Sequence, residues 1–144
     1  PIVSDTADLF LEIQEGEKSL VIQLAALLRQ LLPGNARILT PLGVGGHVDH
    51  RITRSAAELL DRSLSYYADF PYASVHPEEI LPLVPSQAVE VLNPLEEDEL
   101  QAWKSAIREY RSQISSFWES RSAMEEAIVK YAQIGGIRLW NTEL

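Results

Sequence analysis

The sequence contains no cysteine, and this absence limits its chemistry. Disulfide bonds, thiolate zinc sites, iron–sulfur clusters and cysteine nucleophiles are all excluded. Any bound metal ion must therefore be held by histidine, aspartate or glutamate. The chain has only three histidines among its 144 residues, so the number of candidate metal sites is small.

Positive charge is also scarce, with 12 Lys and Arg against 21 Asp and Glu and a net charge of −9. A chain of this charge has no basic surface for nucleic acid or anionic lipid. The longest apolar stretch, residues 20–32, is interrupted by Gln23, Arg29 and Gln30, and it is too short and polar to span a bilayer. Residues 1–8 carry no signal-like feature. We therefore expect a cytoplasmic protein with no membrane or nucleic-acid partner.

Helical and strand-like patterns alternate along the chain. Apolar spacing and end signals predict four helices. The first covers 16–32, the second runs from an Asp49 N-cap through Leu64, the third runs from an Asn93 N-cap to about 113, and the fourth covers 122–133. Short apolar segments predict strands over 36–40, 65–70, 87–92 and 137–140. A glycine loop, residues 41–46, follows the first strand. This order predicts an α/β fold with a mainly parallel sheet and flanking helices.

The most informative motif is His-x-Asp-His, residues 47–50, which lies between the glycine loop and a predicted helix. Ligands of open α/β sheets bind outside the carboxyl ends of the strands, where this loop would fall. Neutral imidazoles suit zinc, and a neighbouring carboxylate can orient a histidine through its other ring nitrogen. Zinc sites need three or four ligands, however, so the alternative is that His47 and His50 simply begin a helix.

Residues 40–57, which include this motif, strongly resemble the second conserved motif of the LmbE-like, or PIG-L, family of zinc-dependent de-N-acetylases. The resemblance continues in residues 66–72, 104–113 and 138–140. It implies hydrolysis of the amide of an N-acetylated amino sugar or glycoconjugate. By the same resemblance His50 is a zinc ligand, His47 stabilises the oxyanion or assists the leaving amine, and Asp49 tunes His47.

The chain departs from the family pattern because it lacks the family's first motif, a His-Pro-Asp-Asp-like sequence that supplies two zinc ligands and the general base. The resemblance thus implies that residues 1–144 are the C-terminal part of a single Rossmann-like domain whose first strands are absent. We expect this chain alone to be inactive and to lose zinc. Its partners would then be the missing N-terminal segment or another copy of the chain.

Two other hypotheses remain open at this stage. The chain could be a non-catalytic binding or assembly module that retains the deacetylase scaffold. Alternatively, two copies could share a zinc ion through His47, His50 and His76. The segment His76-Pro-Glu-Glu79 also resembles a metal motif, but its proline and acids are typical of a first helical turn. We expect it to cap a helix on the far side of the second strand from residues 47–50.

Overall fold

The computed structural model describes residues 9, 10 and 12–143, so residues 1–8, in which we predicted no signal-like feature, lie outside the described residues. The described helices are α1 (Glu15–Leu31), α2 (Val48–Glu58), α3 (Tyr72–Val75), α4 (Ile80–Leu83), α5 (Glu97–Arg108), α6 (Arg111–Phe117) and α7 (Arg121–Ala132). The strands are β1 (Ile38–Pro41), β2 (Leu64–Tyr67), β3 (Val89–Asn93) and β4 (Ile137–Asn141). Short 3-10 helices cover Val44–Gly46 and Pro77–Glu79.

The four strands form one sheet in the order β1-β2-β4-β3. Strands β1 and β2 are parallel, with Ile38 opposite Leu64, whereas β2 and β4 are antiparallel, with Tyr66 opposite Trp140. The predicted α/β class is therefore confirmed, but the sheet is mixed instead of mainly parallel. The sheet is mixed because β4, the last strand of the chain, lies beside β2 in the opposite direction.

The chain divides into two compact units, the first comprising residues 1–90 and 139–144. In this unit α2 packs against both α1 and β1. The buried apolar side chains of the unit come from these helices, the strands and the loops between them: Val21, Ala25, Ile38, Leu42, Val44, Val48, Ile52, Ala56, Ala57, Leu60, Leu64, Tyr66, Ala73, Ile80, Leu139 and Trp140. This core positions the glycine loop and the start of α2.

Helix α1 buries less than its apolar pattern suggests. Within α1 only Glu17, Val21 and Ala25 are buried, whereas Ile22 is 63% exposed and Leu31 is 67% exposed. Helix α1 packs against α2, and among its other leucines Leu24 and Leu28 are half-buried whereas Leu20 and Leu27 are exposed.

Several predicted helix ends were wrong by a few residues. The N-cap of α2 is His47 instead of Asp49, which lies in the first turn, and the helix ends at Glu58. Helix α5 begins after Glu96, with Glu96 and Glu99 forming a capping box, because Asn93 belongs to β3. The helix predicted to reach residue 113 is divided into α5 and α6.

The second unit, residues 91–138, contains α5, α6 and α7. Met124, Ile128 and Tyr131 of α7 are buried, and the Trp103 ring meets Tyr131 edge-on at 6.1 Å. Arg108 donates to Glu125 at 2.6 Å, and this hydrogen bond lowers the pKa of the glutamate.

No helix among the described residues has both the length and the apolar character that a membrane crossing requires.

Candidate functional site

The candidate site lies where the loops after two parallel strands meet. Because β1 and β2 run in parallel, their carboxyl ends are at the same edge of the sheet. The glycine loop follows β1, and Asp69 follows β2 by two residues. The Asp69 carboxylate joins the two loops, since its Oδ2 accepts hydrogen bonds from Gly43 N at 2.7 Å and Val44 N at 3.0 Å.

The glycine loop has a conformation that only glycine adopts easily. Gly43 and Gly45 have φ angles of 88° and 77°, in the left-handed region that disfavours residues with a Cβ atom. At Gly45 a Cβ atom would also lie 2.4 Å from Cδ1 of Tyr72. The loop thus needs glycine both for its backbone angles and for the close approach of the Tyr72 ring.

His47 ends this loop and begins α2. Its Nδ1 accepts a hydrogen bond from the backbone N of Asp49 at 3.2 Å. Burial lowers the pKa of His47, and nearby His50 lowers it further, while the Asp49 carboxylate opposes both effects. That carboxylate is 76% exposed and 4.0 Å from Nδ1, so the backbone hydrogen bond dominates and favours a neutral ring with Nδ1 as acceptor.

His50 lies one helical turn further along and faces Asp69. Its Nδ1 is 2.7 Å from Oδ1 of Asp69, whose side chain is fully buried. Both of these atoms are shielded from solvent, and neither makes a hydrogen bond of good geometry to any described residue, so the pair is a close contact between unpaired polar atoms. The two histidine rings are neighbours, with centroids 5.3 Å apart.

Aromatic rings surround the two histidines. The Tyr72 ring meets His50 edge-on at 5.8 Å, and the Phe10 ring meets His47 edge-on at 5.7 Å. Burial, followed by the charge of Asp69, raises the pKa of Tyr72. The Tyr72 hydroxyl therefore stays protonated at neutral pH.

The three predicted site residues are close together, but they do not form a complete metal site. A catalytic zinc ion needs three protein ligands. Of the motif residues, His50 has the surroundings of a metal ligand, because one ring nitrogen faces a carboxylate. Among the described residues, no group of three ligand-type side chains with metal-binding spacing includes His50. The residues therefore suit one ligand position of a zinc site and do not form a complete ligand set.

A second group of ligand-type side chains, which we name the surface trio, consists of His76, Glu78 and Glu79. Its ligand atoms lie within 4.8 Å of one another, a spacing that could hold a metal ion. The trio begins a 3-10 helix, as predicted. It is not remote from the main motif, however, because Oε2 of Glu79 accepts a hydrogen bond from Gly45 N at 2.9 Å.

A cleft of about 820 Å³ lies beside the glycine loop, and its lining includes Gly45, Arg51, Arg54 and Glu79. Arg54 is already engaged there: it donates to Glu58 at 2.8 Å and to the carbonyl oxygen of Leu42 at 2.7 Å. Neither His47 nor His50 lines the described part of this cleft. The size of the cleft thus gives no argument about the histidine chemistry.

Asp69 is the site residue that sequence reasoning missed. It is separated from His50 by 19 positions, so no local spacing connects them. The strand predicted over 65–70 included Asp69, so the sequence did not place this residue beyond a strand end, whereas in the structure β2 ends at Tyr67. Side chains just beyond the carboxyl ends of neighbouring parallel strands are expected to meet.

Comparison with models of protein families, with curated protein sequences and with solved structures finds no match for this chain. The functional interpretation rests on the geometry of residues 43–50 and Asp69 and on the sequence resemblance.

Proposed function

We propose that this chain is part of a zinc-dependent amide hydrolase that removes acetyl groups from N-acetylated amino sugars or glycoconjugates. The observation that supports this most is the 2.7 Å approach of His50 Nδ1 to the buried carboxylate of Asp69. Metal-binding histidines commonly have a carboxylate beside the ring nitrogen that does not bind the metal. We further propose that the mixed sheet belongs to a larger Rossmann-like domain.

In this proposal zinc, when bound, polarises the amide carbonyl and lowers the pKa of a water molecule. His50 supplies one metal ligand through Nε2. His47 has Nδ1 occupied by the Asp49 backbone, so its remaining N–H points away from the helix start and can donate to the carbonyl oxygen as it gains charge. Losing such a donor costs about 10²–10³ in rate. Asp49 raises the proton affinity of His47.

The remaining zinc ligands and the general base would come from outside the described residues. We propose that a further segment of the same protein or another copy of the chain supplies them. The chain by itself would then lack hydrolase activity.

A second candidate function is supported by the incomplete ligand set. Because His50 belongs to no group of three ligand-type side chains among the described residues, the scaffold could serve as a binding or assembly module without catalysis. In this alternative, the hydrogen bonds that Asp69 accepts serve only to stabilise the fold. It predicts that the full-length gene product contains no zinc.

The test measures zinc content and acetate release from N-acetylglucosamine conjugates by the full-length gene product. We expect stoichiometric zinc and acetate release, both lost in His50→Ala. The matched control is His76→Ala, which changes a histidine of the surface trio and should retain both. Full-length protein without zinc would support the binding module, and zinc and activity that persist in His50→Ala would contradict the site assignment.

A further inference from the structure

We propose that two copies of this chain associate through α1, with the two helices antiparallel and their exposed leucines in contact. The surface concerned, which we name the leucine stripe, includes no residue of the motif at 47–50. The proposal therefore does not depend on zinc or on hydrolase activity. The stripe consists of Leu20, Leu24, Leu27 and Leu31.

The leucines of the stripe have the spacing of helices that pair along their length. They follow one another at intervals of four, three and four residues, which is the heptad spacing. With about 3.6 residues per turn, this spacing places all four on one side of α1. Leu27 is 50% exposed and Leu31 is 67% exposed, whereas Val21 and Ala25, on another side of the helix, are buried. Helix α1 therefore has two apolar sides, one packed within the chain and one at the surface.

The charges of α1 lie away from the leucine stripe. Helical spacing places its exposed charged residues, Glu15, Lys18 and Arg29, on the side opposite the stripe. Glu17 is next to the stripe, but it is buried and engaged in the capping box at the start of the helix. Two copies of a chain with a net charge of −9 repel each other, and this favours contact through a surface without exposed charge.

The stripe is self-complementary in the antiparallel orientation. Its intervals read the same in both directions, so a two-fold axis at its middle places every leucine opposite a leucine of the other copy. The opposed pairs are Leu20 with Leu31 and Leu24 with Leu27. This orientation also brings the acidic first turn of each helix, with Glu15, towards the last turn of the other, which contains Arg29. The helix dipoles then attract each other, whereas a parallel pair would place like charges together.

The contact is small. Helix α1 has 17 residues and is about 25 Å long, so the paired helices bury less surface than a standard protein interface. We therefore expect a weak dimer that forms at micromolar concentrations and dissociates on dilution.

Analytical ultracentrifugation of the 144-residue chain, from low micromolar to several hundred micromolar, tests the association. We expect a reversible equilibrium between monomer and dimer. Leu27→Glu places a charge at the middle of both paired helices and should raise the dissociation constant about 100-fold or more. Glutamate is a good helix former and Leu27 is half exposed, so the monomer should keep its fold, which circular dichroism checks.

The matched control is Ile22→Glu. Ile22 is 63% exposed on the side of α1 opposite the stripe, so this variant adds the same charge to the same helix and should leave the dissociation constant nearly unchanged. A chain that stays monomeric throughout would overturn the proposal and assign the stripe to another segment of the full-length protein or to a different partner. A dimer that Leu27→Glu leaves intact, or that Ile22→Glu weakens equally, would overturn the assignment to this side of α1.

The absence of cysteine makes the orientation testable, because introduced thiols are then the only ones present. Gln23 and Gln30 lie along the same flank of the stripe, and antiparallel pairing brings Gln23 of one copy beside Gln30 of the other. We expect a short bis-maleimide reagent to join Gln23→Cys chains to Gln30→Cys chains in a mixture. Crosslinking no stronger in the mixture than in either variant alone would overturn the antiparallel arrangement.

Discussion

Two groups in the first unit combine histidine with carboxylate, and they differ in almost every other respect. At His50 and Asp69 the atoms are 2.7 Å apart and the carboxylate is fully buried. In the surface trio the nearest carboxylate oxygen is 3.6 Å from His76 Nδ1, and the side chains are 43% to 70% exposed. The trio has more ligand-type atoms close together, but the Asp69 group is far more constrained.

Burial explains why constraint is the better guide to a functional arrangement. A buried carboxylate loses its hydration, and this loss must be offset by hydrogen bonds from fixed donors. Asp69 has such donors in the loop backbone, where Gly43 N and Val44 N donate to Oδ2, and its Oδ1 lies 2.7 Å from His50 Nδ1. Water and salt screen the charges of the surface trio, so its side chains can separate at little cost in free energy. Proximity alone therefore identifies the less specific of the two groups.

The largest expected effect in this comparison is that of Asp69→Ala. The change leaves two buried backbone N–H groups without an acceptor and should lower the free energy of unfolding by about 2–5 kcal/mol. Glu78→Ala, on the exposed side of the comparison, should change it by less than about 0.5 kcal/mol. Urea denaturation followed by circular dichroism measures both. Equal effects of the two substitutions would remove the distinction between the groups.

Gly45→Ala is expected to have the next largest effect, because Gly45 lies between the two groups. The left-handed φ costs roughly 1–2 kcal/mol for alanine, and the contact with the Tyr72 ring adds overpacking of about 1–3 kcal/mol. The control is Gly16→Ala in α1, where a Cβ atom meets nothing within 4 Å and should stabilise the helix by up to about 1 kcal/mol. The same urea titration measures the expected destabilisation by Gly45→Ala and the expected stabilisation by Gly16→Ala. If Gly45→Ala left the free energy of unfolding unchanged, the loop would have to relax without cost.

Glu79→Ala should have a smaller effect, since Glu79 is the one member of the surface trio that accepts a hydrogen bond from the loop. Losing this acceptor for Gly45 N should lower the free energy of unfolding by about 1 kcal/mol. Glu79→Gln retains an acceptor oxygen and should recover most of it. If the alanine and glutamine variants were equally destabilised, the charge of Glu79 would matter more than its hydrogen bond.

The smallest effect concerns pH. The pKa of His47 is lower in the folded chain than its ordinary value, so the unfolded chain binds the proton more readily. Stability is therefore unaffected well above about pH 6.5 and falls as the pH drops through that value toward the folded pKa. His47→Gln should lose less stability than the unchanged chain between pH 8 and pH 5. A steeper loss in the variant would show that His47 is protonated in the fold.

The sequence was sufficient for the alternation of helices and strands and for the position of the motif at a helix start. It was insufficient where two residues compete for one role. Asp49 is the better N-cap by preference, yet His47 takes that position because the glycine loop ends there. In α1, the apolar pattern could not show which side chains α2 would cover. The Asp69 contact depends on the pairing of β1 with β2, which no local pattern encodes.

The two oxygens of the Asp69 carboxylate face different parts of the site, and this affects how the segment can change over evolution or in engineering. One oxygen fixes the backbone at Gly43 and Val44, and the other faces the imidazole of His50. A substitution that reshapes the loop would shift the carboxylate and so reorient the ring, even though the substituted residue never contacts it. Changes in the loop and at His50 should therefore be non-additive, and variants selected for a new loop length will need a compensating change at Asp69.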